Sequence, residues 1–162
     1  MWPTSVLLAV VVSAFMAVEA RRASRNERGQ RSRGGVEPRD DVFAWMQVAY
    51  PGAFVAMLAE GVIRGAPPRE AYVAGAVVFA AGKALKWWAL VTLRPSWTFR
   101  VLVVPGMTLV KDGPYRFLKH PNYVGVVGEL AGVGLMTGAL IAGPAATALF
   151  GALILKRMRV EE

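Results

Sequence analysis

Apolar residues in this chain come in long blocks, not in the alternation of a half-buried strand. The first block covers residues 2–20, enough at ~1.5 Å per residue to cross a ~30 Å hydrocarbon core. Later blocks at 42–63, 71–93, 122–138 and 143–159 complete the pattern. It predicts an all-α integral membrane fold of five transmembrane helices in a single domain, residues 1–162. The last two blocks are short and separated by the glycine- and proline-containing residues 138–144. They are expected to form a tight helical hairpin whose ends return to one side. Gly128-x-x-x-Gly132 and Gly134-x-x-x-Gly138 would let the two limbs pack closely. Pro51-Gly52 marks an expected kink in the second block.

The polar intervals set the orientation. Residues 21–41 carry arginines at 21, 22, 25, 28, 31, 33 and 39, which reads as a solvated, mobile basic loop. The positive-inside rule makes this loop cytoplasmic and puts the N-terminus outside. Lys83 and Lys86, beside Trp87 and Trp88, read as snorkelling cations in an aromatic belt. Residues 94–121 are too broken by proline and glycine to span and fall on the cytoplasmic side. Val18-Glu19-Ala20 has the look of a signal-peptide cleavage site, yet no basic segment precedes the apolar run. A retained first helix is the expectation.

Composition narrows the chemistry. The chain is 55% hydrophobic, above the ~45–50% of soluble domains. Its net charge of +8 would suggest nucleic acid in a soluble protein, but the cations lie between apolar blocks and the aromatics lie elsewhere. Membrane lipid, not nucleic acid, is the expected partner. Cysteine is absent and histidine occurs once, which removes thiolate catalysis and leaves too few ligands for a zinc site.

That histidine stands in Gly113-Pro-Tyr-Arg-Phe-Leu-Lys-His-Pro-Asn-Tyr-Val-Gly125, where a turn signal, two tyrosines, two cations and a second proline interrupt the apolar blocks. If the hairpin returns, the tail from Lys156 to Glu162 ends beside His120, with Arg157 and Glu161 on one helical face at i and i+4.

Gly113-Pro-Tyr-Arg, His120-Pro-Asn-Tyr123, a hairpin, then Arg157-x-x-x-Glu161-Glu162 together resemble the isoprenylcysteine carboxyl methyltransferase family of membrane enzymes. The resemblance covers residues 88–162. It implies S-adenosylmethionine as methyl donor, held in a cytoplasmic cofactor pocket. Matched residue by residue, cofactor contacts would fall on Met107, Thr108, Leu109, Val110, Tyr115, His120, Pro121, Asn122, Tyr123 and Glu161, and the substrate-side arginine on Arg157. Arg100 stands where the eukaryotic members use glutamine. Members usually continue past the Glu-Glu pair; either the tail is trimmed here, or Glu161 sits at a fraying end beside Glu162 and would hold a cofactor less firmly.

A donor with a carboxylate, an ammonium, a ribose and a sulfonium needs acceptors, donors and aromatic faces, which these residue types supply. The acceptor stays open on chemistry alone. A carboxylate needs only a positioning cation, and a phenol or enol also needs its anion stabilised; Arg157 could serve either. Trp97-Thr-x-Arg100-Val, Pro105-Gly106, the motif and Glu129 look most like the small bacterial branch associated with type III polyketide synthases, which methylates alkylpyrones and alkylresorcinols. Glu129, an ionisable group inside an apolar block, is a functional candidate by default, toward a substrate hydroxyl or paired with Arg157; a carboxyl that is protonated or satisfied by a neighbouring helix is the equal alternative. A lipophilic small molecule entering from the bilayer is the expected substrate, and a bacterial plasma membrane the expected location. The competing readings are a non-catalytic membrane scaffold binding anionic lipid or a partner through its arginines, and a nitrogen methyltransferase of lipid headgroups. An amine acceptor gains nothing from Arg157.

Overall fold

The computed structural model describes residues 2–39 and 41–161, so Glu162 of the Glu-Glu pair lies outside the described residues. The described chain is helical: α1 (Trp2–Ser32), α2 (Phe43–Arg64), α3 (Arg69–Leu93), α4 (Pro121–Thr137) and α5 (Ala142–Glu161). One isolated antiparallel bridge joins Val36 to Val103. Three stretches, Pro3–Ser32, Phe43–Arg64 and Arg69–Ser96, are long and apolar enough to cross a bilayer.

The first departure from expectation is α1. It does not end at residue 20 but continues unbroken through the arginines to Ser32. Arginine, alanine, glutamate and glutamine all favour helix, and Ala23, Asn26 and Gln30 recur at spacings of three and four, so they share one face. That face is anchored. Asn26 donates to the carbonyls of Arg94 (3.0 Å) and Trp97 (2.8 Å), and Gln30 donates to that of Pro95 (2.9 Å). The supposed mobile loop is therefore, up to Ser32, a strut that grips the connector after α3.

The closest packing is between α3 and α4, and glycine makes it possible. A Cβ on Gly132 would lie 2.6 Å from the Phe79 nitrogen and 2.7 Å from the Gly75 carbonyl oxygen; one on Gly82 would lie 2.7 Å from that of Gly125. Backbones in van der Waals contact are how helices associate where lipid offers no hydrophobic drive. Gly128 and Gly132 thus face α3, not the other limb of the hairpin. Gly134 does meet that limb, with a Cβ there 3.2 Å from Gly143.

The hairpin turns at Gly138, whose left-handed φ of 66° closes α4. Glu60 of α2 then accepts from the amides of Ile141 (3.0 Å) and Ala142 (2.6 Å), meeting unpaired donors at the start of α5 with a carboxylate. Pro51 lies inside the continuous α2. Met46, Phe54 and Met57 of α2, Leu130 and Val133 of α4, and Phe150 and Ile154 of α5 form the main apolar core. The start of α4 and the end of α5 come together at the opposite end of the hairpin from its turn.

Candidate functional site

The connector after α3 is irregular, with single 3-10 turns at Arg94–Ser96 and Gly113–Arg116. Pro114 and Pro121 sit at the starts of a turn and of α4, where a missing N–H costs nothing. His120 occupies the residue before α4, so the motif's side chains fan out from a helix start.

Tyr123 and His120 stack with ring centroids 5.5 Å apart. The Tyr123 hydroxyl donates to Glu161 of α5, and His120 Nδ1 lies 3.4 Å from the same carboxylate. Arg157, one turn back, reaches Glu161 through Nε at 3.4 Å; its other nitrogens donate to the Phe99 carbonyl and meet Met46 Sδ at 3.7 Å. Only 6% of Arg157 is exposed. Asn122 accepts from the Trp97 indole at 3.3 Å, and Pro121 is buried. Tyr115, outside the membrane-spanning segments, has its phenol pushed up to about 12 by burial, with the Glu161 charge adding to the effect.

Six of the residues singled out by sequence therefore converge: Tyr115, His120, Asn122, Tyr123, Arg157 and Glu161. Pro121 shapes the helix start between them. Met107, Thr108 and Leu109 instead stand exposed along the connector with Val110 half-buried, and no hydrogen bond from their side chains to the cluster is seen among the described residues. Arg100 belongs to another arrangement. It pairs with Glu37 at 3.0 Å and Glu27 at 3.7 Å and lies over the Phe43 ring.

A second polar group lies in the bundle interior. Glu19 of α1 takes both lysines of α3, Lys83 at 2.9 Å and Lys86 at 2.7 Å. Glu129 of α4 faces the same lysines at 3.0 and 3.6 Å and accepts from the Tyr50 hydroxyl. Of the readings open for Glu129, satisfaction by a neighbouring helix is the one that forms, and pairing with Arg157 is not. The lysines do not snorkel either: at 8% and 3% exposure they point inward because two carboxylates await them there. Glu19, 1% exposed in the middle of a continuous helix, is a core group rather than part of an accessible cleavage site. Sequence reasoning missed Glu19 and Tyr50 as partners. The available signal was the match of two carboxylates and two lysines embedded in apolar blocks.

A model of the isoprenylcysteine carboxyl methyltransferase (ICMT) family matches residues 74–162, the stretch holding α3 beyond its first turn, the connector and the hairpin. The chain belongs to this family. Family membership makes it a methyltransferase, and with three helices long and apolar enough to cross a bilayer a membrane one. Uncharacterized protein YpbQ of Bacillus subtilis (strain 168) is 30% identical over 157 residues, 96% of this chain and 93% of that protein. No solved structure matches the chain. All of the converging ICMT-like side chains fall within the matched residues, whereas Glu19 and Tyr50 precede them.

The cluster's chemistry fits S-adenosylmethionine. Glu161 and the Asn122 carbonyl oxygen are acceptors for an ammonium or ribose hydroxyls, and the Tyr115, Tyr123 and His120 rings offer faces to a sulfonium.

Proposed function

We propose that this chain is an S-adenosylmethionine-dependent O-methyltransferase acting on a lipophilic acceptor, with all five helices in the membrane and the cofactor pocket on the cytoplasmic side. The observation that carries the reading is the meeting of the two hairpin ends, where Tyr123 and His120 of the motif share the Glu161 carboxylate with Arg157. A scaffold needs no such convergence.

S-adenosylmethionine would supply an electrophilic methyl group. The chain's own part is to hold and align. Glu161, His120, Asn122, Tyr115 and Tyr123 would bind the cofactor, and the Met107 to Val110 segment would fold over it on binding. Arg157 would orient the acceptor oxygen and stabilise its anion, an alignment effect that accounts for much of such catalysis. Its ion pair with Glu161 couples the two roles. Glu129, held by Lys83, Lys86 and Tyr50, is assigned to the bundle interior and not to the acceptor.

The acceptor class we favour is the phenolic lipid, an alkylpyrone or alkylresorcinol, as in the bacterial branch associated with type III polyketide synthases; an isoprenylcysteine-like carboxylate is the other substrate to be assayed. A nearly buried guanidinium suits both. The test is methyl transfer to each acceptor by purified protein. Arg157→Ala should abolish turnover with either acceptor while weakening cofactor affinity less than Glu161→Ala does. Turnover surviving in Arg157→Ala would contradict the role given to that arginine.

A further inference from the structure

Above the level of Glu19, α1 and the end of α3 part around an open crevice of about 690 Å3. Its upper wall is Arg21, Arg22, Arg25 and Arg94; its floor includes Val18 and Val91, which are 47% and 53% exposed. A smaller crevice of about 370 Å3 continues along α1, sharing Arg21 and Arg25 and adding Arg28.

Among the described residues the cations are uncompensated; none of Arg21, Arg22, Arg25 or Arg94 has an ion-pair partner, because the carboxylates nearby in α1 are taken: Glu19 by the two lysines, Glu27 by Arg100. The crevice also sits at a definite height. It begins where the apolar run of α1 gives way to arginine and where the α3 run ends in Arg94-Pro95, the level at which a bilayer presents its headgroups.

Arg94 adds an independent observation. Its backbone has φ 52° and ψ −121°, the one non-glycine residue at positive φ among those described. Glycine would relax this turn, yet the position carries a guanidinium lining the crevice.

We propose that this crevice binds an anionic glycerophospholipid, its phosphodiester between the guanidiniums and its acyl chains running down past Val18 and Val91. Basic pockets between membrane helices recognise such headgroups through charge, and arginine forks match phosphate geometry. The apolar floor singles out a lipid over free phosphate. Nucleic acid fits less well, since no aromatic ring lines the crevice for a base to stack on. Bound there, the lipid would lie against the junction of α1 with the Arg94 turn, which Asn26, itself lining the crevice, and Gln30 hold together.

The experiment is native mass spectrometry of the full chain from micelles containing equal phosphatidylglycerol and phosphatidylcholine, with folding of each variant checked by circular dichroism. Wild type should retain phosphatidylglycerol preferentially. Arg21→Gln/Arg25→Gln should reduce the preference, about fivefold per arginine removed. Arg94→Gly should reduce it as well while relaxing the turn, which separates loss of charge from loss of fold. Arg33→Gln, outside the crevice, should leave it intact. No preference in wild type, an unchanged preference in folded Arg94→Gly, or an equal loss in Arg33→Gln would overturn the proposal. Displacement of the lipid by inorganic phosphate alone would overturn it in favour of a free-phosphate site.

Discussion

Glu19 and Lys86 meet at 2.7 Å with both residues almost sealed from their surroundings, at 1% and 3% exposure. They lie 67 residues apart in sequence, on α1 and α3, and with Lys83 and Glu129 they form a group in which positive and negative charges balance. In a bundle interior, removing one member leaves the rest uncompensated.

Glu19→Gln should therefore destabilise the protein by about 3–5 kcal/mol, measured by denaturant titration in micelles. Glu19→Leu/Lys86→Met, which removes one charge of each sign, should recover much of that loss. A double variant as unstable as the single one would argue against charge imbalance as the cause.

Gly132→Ala should weaken the α3 and α4 contact, since its Cβ would press on the Phe79 nitrogen at 2.6 Å; overpacking of this kind costs about 1–3 kcal/mol. Gly151→Ala, with nothing within 4 Å of the added atom, is the matched control and should be neutral or slightly stabilising. Thermal unfolding of the two side by side decides it.

Asn26→Ala/Gln30→Ala removes the side chains that hold the carbonyls of Arg94, Pro95 and Trp97. Amide exchange over residues 94–104 should accelerate by about tenfold, given ~0.5–1.5 kcal/mol for each of the part-buried hydrogen bonds removed. Because the Trp97 indole donates to Asn122, S-adenosylhomocysteine binding should weaken too. Unchanged exchange would mean that α1 does not hold the connector.

Glu37 supplies the pH dependence. Burial opposes ionisation there, but hydrogen bonds and charge from Arg100 and Arg31 outweigh it and hold the carboxyl below its ordinary value of 4.5. A depressed folded-state value means stability present above the unfolded value and lost as pH falls through the folded one. Wild type should thus lose thermal stability below pH 4.5 more steeply than Glu37→Gln, and parallel curves would remove Glu37 from the account.

The sequence made α2, α3 and the hairpin legible because long apolar blocks bounded by glycine, proline and arginine leave few alternatives. It also placed His120, Tyr123, Arg157 and Glu161 together, since a two-limbed hairpin must bring its ends back. It misled where charge was taken as a sign of water. The arginines of α1 concealed the face formed by Ala23, Asn26 and Gln30, and Lys83 and Lys86 were read without Glu19, 64 and 67 residues away. Gly128 and Gly132 were assigned to the wrong neighbour, and Gly134 to the right one, because spacing shows that a helix can be approached closely, not by which partner. Met107 to Val110 lie in irregular backbone, where no periodicity indicates direction.

The central claim is that the hairpin ends form a cofactor site around Glu161. Its most direct test is calorimetric titration of the purified protein with S-adenosylhomocysteine, comparing wild type with His120→Ala and Glu161→Ala. Saturable binding that weakens about 10- to 100-fold in Glu161→Ala and measurably in His120→Ala is the predicted result. Affinity unchanged in both folded variants, or no binding by folded wild type, would contradict it.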